Sequence, residues 1–275
     1  VYFGNIALPT NGQRTIYVPA YSLNLTPLTS RYLKKIAKAV LRREPMLLIG
    51  PTGGGKTALV RQLSDLINIG FVSLDLDGQS DVAELIGQFM PEEKTAQYKW
   101  HPGLLLQAME NGWWILIDEL NLAEPEVLER INSLLDDDGI LVVTEHDNEI
   151  YLPADIYDVK LNALTEELKK KDNLDQEAAL KTARQNLRSR GFYRIDPNFR
   201  LFAAMNPEHY AGRNRLSLAM LNKFSQLWIP GDQPEEEQVS IVRHYLTSPI
   251  SGSRLASSEE LGLFGRLNHW RKLSK

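Results

Sequence analysis

One glycine-rich octapeptide of this chain reads Gly50-Pro51-Thr52-Gly53-Gly54-Gly55-Lys56-Thr57. It fits G-x-x-x-x-G-K-[ST], the pattern of a loop that holds nucleotide phosphates. The apolar residues 46–49 before it predict a short buried strand, and residues 58–63 after it predict the start of a helix. Main-chain N–H groups of such a loop, with the positive end of that helix, form a site for phosphate. The alternative is an ordinary glycine-rich turn between a strand and a helix, which would not require the Lys56-Thr57 pair.

The phosphate-binding interpretation gives individual residues distinct roles. The Lys56 ammonium is expected to reach the β- and γ-phosphates, and the Thr57 hydroxyl is expected to hold Mg²⁺. The other predicted nucleotide contacts lie in the same loop and in the first turn of the helix: Gly50, Pro51, Thr52, Gly53, Gly54, Gly55 and Ala58.

Two acidic residues end a second apolar strand. Asp118 and Glu119 follow Ile115-Leu116-Ile117, so both carboxylates are expected at the carboxyl edge of a parallel sheet, where ligands bind. Asp118 is predicted to hold Mg²⁺ through water, and Glu119 to orient or deprotonate an attacking water. The alternative is that the pair only places negative charge at the start of the next helix.

A polar residue also ends the apolar strand predicted at residues 200–205. Asn206 would stand at the tip of that strand, where its amide could bridge a γ-phosphate and the attacking water. The alternative is a simple Asn-Pro turn with Pro207. Because strands alternate with helices along the chain, the sequence predicts a parallel α/β sheet.

Composition limits the classes of protein to consider. The chain has 275 residues, 43% of them hydrophobic, which is enough for one large or two ordinary domains. A net charge of −4 does not favour nucleic acid or an anionic membrane as a partner, and no apolar run approaches the roughly 20 residues of a membrane span. The absence of cysteine excludes disulfides and favours a reducing compartment such as the cytoplasm. Because Val1 is not a start methionine, we expect a fragment or a processed chain.

With these motifs the chain resembles the AAA+ ATPases, in their MoxR and midasin/dynein-related branch. Residues 50–57, Asp118-Glu119 and residues 202–207 are similar to Walker A, Walker B and sensor 1 of that family. Residues 80–87, 100–104 and 108–112 are similar to its helix-2 insert region, and residues 130–136 and 212–217 to its later motifs. The resemblance covers about residues 30–245. It implies a three-layer α/β P-loop sheet with a small C-terminal helical lid.

The expected domain organisation has three parts. Residues 1–29 form an N-terminal extension, and residues 30–232 form the large α/β domain, with a charged helical insertion at about 154–194. Residues 233–275 form the helical lid, which need not be complete. Arg243, Arg254 and Arg266 are the candidates for its sensor-2 arginine, and the sequence does not choose among them.

The resemblance implies a module that binds ATP with Mg²⁺ and hydrolyses it at a subunit interface to remodel or move a protein partner. Such a module would belong to a homo- or hetero-oligomeric ring, or to tandem AAA+ modules. In this scheme Glu119 activates water and Asn206 senses the γ-phosphate. A hairpin predicted within residues 89–100 would carry aromatic side chains that either grip a substrate or pack in the core: Phe89, Tyr98 and Trp100.

One departure from the family pattern affects the expected mechanism. The family usually reads S-x-A-x-x-x-R-F after sensor 1, whereas this chain places Lys223 where the arginine finger is expected. A lysine ammonium does not reproduce the planar fork of a guanidinium. Either Lys223 acts as a weaker finger, or Arg213 or Arg215 serves instead, or this module does not activate its neighbour. Two other functions therefore stay open: an ATP-binding regulatory or structural module with weak hydrolysis, and a GTP-using motor of the restriction type.

Overall fold

A five-stranded parallel sheet forms the centre of the molecule. The computed structural model describes residues 2–3, 6–9, 23–77, 82–92, 97–172, 175–207, 215–231 and 234–247. The strands of the sheet are β1 (Met46–Ile49), β2 (Phe71–Asp75), β3 (Trp114–Asp118), β4 (Arg200–Met205) and β5 (Ser225–Trp228). Their order is β5-β1-β4-β3-β2, and every neighbouring pair is parallel. The polar residues that follow β1, β3 and β4 therefore meet at one edge of the sheet.

Helices cover both faces of this sheet, which confirms the predicted three-layer α/β fold. They are α1 (Pro27–Arg42), α2 (Lys56–Ile67), α3 (Val82–Leu85), α4 (Leu104–Asn111), α5 (Pro125–Leu134), α6 (Ala154–Asp172), α7 (Gln176–Ser189), α8 (Leu218–Asn222) and α9 (Glu235–Thr247). Leu48, Leu116 and Phe202 pack in a buried cluster with α1 and α2. The next residues along two of those strands, Ile49 and Ile117, pack in a second cluster with α3, α4, α5 and α8. Side chains alternate between the faces because successive residues of a strand point to opposite sides.

The first helix begins earlier than its apolar spacing predicts. The spacing indicates a helix over about residues 30–43, but α1 begins at Pro27. Thr26 caps it, since its hydroxyl accepts a hydrogen bond from the Thr29 N–H at 3.1 Å, and proline suits the first helical position because it has no N–H to satisfy. The helix ends at Arg42, and its C-cap residue Arg43 has a left-handed φ of 59°.

Two hairpins lie outside the central sheet, and the first confirms the hairpin predicted within residues 89–100. The strands Gly87–Pro91 and Tyr98–Pro102 pair antiparallel, and so do Leu141–Val143 and Glu149–Leu152. The strand Phe192–Arg194 adds to the second hairpin in parallel and makes a three-stranded sheet. A separate short antiparallel pair joins Tyr2–Phe3 to Ile6–Ala7.

The charged segment between the second hairpin and the strand Phe192–Arg194 forms α6 and α7. These helices have a small buried cluster of their own, with Tyr157 and Leu161 from α6 packed against Leu187 from α7. Arg194 donates two hydrogen bonds of 2.9 Å to the Asp158 carboxylate and so ties the third strand to α6. These hydrogen bonds hold the pKa of Asp158 below its usual value.

Several predictions fall on parts of the chain that the structure does not describe. Arg213, Arg254 and Arg266 lie outside the described residues. The sequence of the lid also predicts a helix over about residues 258–273, which lies outside them as well. Of the predicted lid, the described residues include α9, which carries Arg243. Within the described ranges, none of the helices combines the length and the apolar character that crossing a membrane requires.

Candidate active site

The glycine-rich loop joins β1 to α2, as its flanking residues predict. Gly55 has a left-handed φ of 81° directly before the helix, a conformation that glycine adopts without a steric penalty. A Cβ on Gly50 would lie 2.4 Å from the Ile229 carbonyl oxygen, so a larger residue would clash there. The N-cap residue of α2 is Gly55, which has no side chain to cap the helix. The first-turn N–H groups of a helix point out of its N-terminus, here toward the loop, as in a phosphate site.

Lys56 places a buried positive charge at the base of this loop. Its side chain is only 6% exposed. The ammonium donates to the Gly50 carbonyl at 2.8 Å, to the Pro51 carbonyl at 3.0 Å and to Asn206 Oδ1 at 2.9 Å. A buried ammonium requires such acceptors, and these three join the end of β1 to the end of β4.

The Thr57 hydroxyl and the Asp118 carboxylate form an oxygen pair beside the loop. Thr57 Oγ1 lies 3.0 Å from Asp118 Oδ2, and Asp118 Oδ1 accepts a hydrogen bond of 2.8 Å from the Glu119 N–H. Hydroxyl and carboxylate oxygens are ligands that Mg²⁺ prefers. Among the residues that the structure describes, no three His, Asp or Glu side chains form a metal-binding group. The pair suits an ion that keeps waters and takes its other ligands from phosphates, as Mg²⁺ does.

Asn206 connects the predicted general base to the predicted phosphate-binding lysine. Its fully buried side chain donates from Nδ2 to Glu119 Oε1 at 2.8 Å and to Thr52 Oγ1 at 3.1 Å. Its Oδ1 accepts from Lys56. These partners fix the orientation of the amide, because an ammonium can only donate and a carboxylate can only accept. The structure therefore brings Lys56, Asn206 and Glu119 into one chain of hydrogen bonds.

Glu119 follows β3 in an unusual backbone conformation. Its φ is 55°, which places a non-glycine residue in the left-handed region, an arrangement found preferentially at functional sites. A short 3-10 helix, Leu120–Leu122, follows it. The next α-helix begins only at Pro125 and has Glu124 at its N-cap. The carboxylate of Glu119 is thus directed to Asn206 and not to the N-terminus of α5.

Asn121 is a site residue that the sequence reasoning missed. Its side chain is fully buried, and Nδ2 donates to the main-chain carbonyl of Asn206 at 3.0 Å. Asn121 Oδ1 is buried without a hydrogen-bond partner in the described part of the chain, an arrangement that typically costs about 1–3 kcal/mol. The sequence offered one signal for this residue, an asparagine flanked by Leu120 and Leu122 and two positions after Glu119.

Lys223 is held by residues of its own chain. Its ammonium donates to Asn132 Oδ1 at 2.8 Å and to the Asn132 carbonyl at 3.3 Å, and it forms an ion pair with Asp136. These contacts tie the segment after α8 to the C-terminal end of α5. Of the two alternative cations, Arg215 is exposed just before α8, and Arg213 lies outside the described residues.

Of the aromatic side chains of the first hairpin, one packs against the second hairpin and two are largely exposed to solvent. Trp100 stacks on His146 of the second hairpin, with ring centroids 4.7 Å apart. Phe89 also contacts Trp100, at 5.3 Å between centroids, but it is 49% exposed. Tyr98 is 72% exposed. Trp100 thus joins the two hairpins, whereas Phe89 and Tyr98 present apolar surface to solvent.

Comparisons with known proteins agree with this fold. A family model described as the AAA domain, dynein-related subfamily, matches residues 45–224. Midasin of Dictyostelium discoideum is 30% identical over 229 residues, which cover 82% of this chain and 3% of midasin. Midasin of Giardia intestinalis is 30% identical over 213 residues, which cover 77% of this chain and 4% of that protein. The chain thus spans a small fraction of these curated relatives.

A solved structure supports the fold independently of the family model. The crystal structure of an ATPase candidate from Cytophaga hutchinsonii superposes with a TM-score of 0.52 at 15% sequence identity. The superposition covers 84% of this chain and 54% of that one. At this identity the likeness bears on the fold alone.

Proposed function

Because this chain belongs to the AAA+ ATPases, in the dynein-related subfamily of AAA domains, we propose that it binds ATP with Mg²⁺ at the carboxyl edge of its parallel sheet and hydrolyses the γ-phosphate. The observation that carries this proposal is the chain of hydrogen bonds from Lys56 through Asn206 to Glu119. The chain of hydrogen bonds joins a buried cation, an amide and a carboxylate in that order. These are the groups needed to hold a phosphate and to position a water beside it.

In this proposed reaction each side chain of the site has a distinct role. Lys56 and the loop N–H groups bind the phosphates, and Thr57 and Asp118 hold Mg²⁺, which neutralises phosphate charge when it is bound. Glu119 accepts a proton from the attacking water as the water oxygen bonds to phosphorus and the bond to the leaving ADP oxygen breaks. Asn206 links the general base to the phosphate-binding cation, so the position of the base depends on what Lys56 contacts.

The proposed reaction is completed at an interface with a neighbouring module. Phosphoryl transfer is commonly accelerated by a cation supplied in trans, and Lys223, Arg213 and Arg215 are the candidates on this chain. The neighbour would be another copy in a homo- or hetero-oligomeric ring or a tandem AAA+ module, and the cycle would remodel or move a protein partner.

The contacts of Lys223 favour a second candidate function, an ATP-binding regulatory module with weak hydrolysis. In this candidate the Asn132 and Asp136 contacts keep the ammonium on its own chain, and no strong trans cation is supplied. Replacing Lys223 by arginine distinguishes the two functions. A higher turnover in Lys223→Arg would favour the regulatory module, and an unchanged turnover would count against it.

The test of the main proposal is steady-state ATPase activity measured against protein concentration, with Lys56→Ala as the blank. We expect the specific rate to rise with concentration, because a shared site forms only when modules associate. Nucleotide binding with a flat rate no higher than that of Lys56→Ala would contradict hydrolysis at an interface and would leave the regulatory module.

A further inference from the structure

The short turn after Glu119 carries a second buried amide. Leu120 and Ala123 are buried in the core cluster that also holds Ile117 of β3, so this turn is anchored on both sides of Asn121. Asn121 itself is fully buried and lies two residues from the proposed general base. Its amide nitrogen reaches the Asn206 carbonyl at 3.0 Å.

Only one end of the Asn121 amide has a partner. One of its polar atoms, Oδ1, lacks a hydrogen-bond partner in the described part of the chain. A buried acceptor without a partner is destabilising. An apolar side chain of similar volume would remove that acceptor, but it would also leave the Asn206 carbonyl without its donor. The hydrogen bond to Asn206 is therefore what the amide supplies at this position.

That hydrogen bond holds a peptide group that the sheet leaves without a ladder partner. Asn206 follows the last residue of β4, Met205, and precedes Pro207. Its carbonyl accepts a hydrogen bond from Asn121 Nδ2 instead of from a neighbouring strand. A displacement of this main-chain segment would carry the Asn206 side chain away from Lys56 and Glu119, both of which it contacts at 2.8–2.9 Å.

We propose that Asn121 is a positioning residue, which holds the main chain of Asn206 so that its amide stays between Lys56 and Glu119. The proposal rests on the proposed function, since it assigns Asn121 a part in the same site. Asn121 contacts neither Lys56 nor Thr57 through any described hydrogen bond, so its effect reaches the nucleotide through Asn206. Phosphate binding by the loop itself should be largely independent of it.

The test compares Asn121→Leu, Asn206→Ala and the double variant with the wild type. We expect Asn121→Leu to lower kcat roughly tenfold with KM for ATP changed less than about threefold, because geometry and not loop binding is lost. In the double variant kcat should equal that of Asn206→Ala within about twofold, since both changes act through one group. Independent effects that multiply, or a wild-type kcat in Asn121→Leu, would overturn the proposal.

A matched control and a smaller variant separate positioning from loss of structure. Ser64 is also fully buried and donates one hydrogen bond of 2.8 Å, to the Arg61 carbonyl, so Ser64→Ala should leave kcat unchanged. If Asn121→Leu does not fold, Asn121→Ala takes its place in the same comparison, with its thermal midpoint measured beside that of Ser64→Ala.

A second readout does not require hydrolysis. The ratio of ATP to ADP affinity reports contacts to the γ-phosphate, and we expect Asn121→Leu to lower this ratio by the same factor as Asn206→Ala. If the wild type hydrolyses no faster than Lys56→Ala, the proposed function fails, and the affinity ratio alone then decides the role of Asn121. A ratio that Asn121→Leu leaves unchanged, while Asn206→Ala lowers it, would overturn the positioning role.

Discussion

Glu119→Gln is the substitution that isolates the chemical step. A glutamine keeps the size of the side chain and an amide oxygen at the place of Oε1, which now accepts from Asn206 Nδ2 at 2.8 Å. It lacks the negative charge and the basicity that proton transfer requires. The substitution therefore retains the hydrogen bond and removes the base.

The expected magnitudes differ between stability and turnover. Exchanging a charge-assisted hydrogen bond for a neutral one should change the free energy of unfolding by at most about 1 kcal/mol. A positioned general base contributes roughly 10²- to 10⁴-fold to a rate, which corresponds to about 2.7–5.5 kcal/mol in the activation free energy. We therefore expect kcat to fall by that factor while ATP affinity stays within about threefold of the wild type.

The assay measures phosphate release at saturating ATP, and ATP binding by calorimetry on the same preparations. Glu124→Gln is the matched control, because Glu124 is an exposed acid five residues further along the chain whose side chain makes no capping hydrogen bond. Its turnover should equal that of the wild type. If Glu119→Gln also turns over at the wild-type rate, Glu119 is not the base. A loss of ATP affinity equal to the loss of turnover would instead assign it a role in binding.

Three further predictions concern other parts of the molecule. Thr57→Val removes the hydroxyl beside Asp118, so half-maximal ATPase activity should require at least about tenfold more Mg²⁺; an unchanged Mg²⁺ titration would contradict the metal assignment. Asp136→Asn weakens the partly exposed ion pair with Lys223 and should lower the free energy of unfolding in urea by about 0.5–1 kcal/mol; an identical midpoint would show that the pair adds nothing. Asp158→Asn should destabilise the fold by less than about 1 kcal/mol near neutral pH. Because Arg194 lowers the pKa of Asp158 in the folded state, this contribution is fully present above the unfolded pKa of about 3.9 and is lost as pH falls through the lower folded pKa, so the thermal midpoints of Asp158→Asn and wild type should differ by a constant amount above about pH 5 and converge only below about pH 4. A difference that stays unchanged down to the lowest pH would refute that linkage.

The sequence by itself determined the elements of the central domain and the loop between β1 and α2. Runs of apolar residues mark β1, β3 and β4, because strands buried on both faces need continuous apolar sequence. The run of β1 ends at the glycine-rich loop, and the runs of β3 and β4 end at polar residues. The glycine-rich loop, Asp118-Glu119 and Asn206 can be recognised as candidate site residues from the sequence, because each follows such an apolar run. The start of a helix was predicted less accurately where a capping residue sets it, as Thr26 does for the helix that begins at Pro27.

Only the tertiary structure decided which of these residues contact one another. The strand order β5-β1-β4-β3-β2 places Asn206 between Lys56 and Glu119, and no local pattern encodes contacts between residues so far apart in sequence. The buried amide of Asn121 and the ion pair of Lys223 with Asp136 were missed for the same reason. A side chain's hydrogen-bond partner depends on which segments the sheet brings together, whereas helix and strand periodicity depend on neighbours within a few residues.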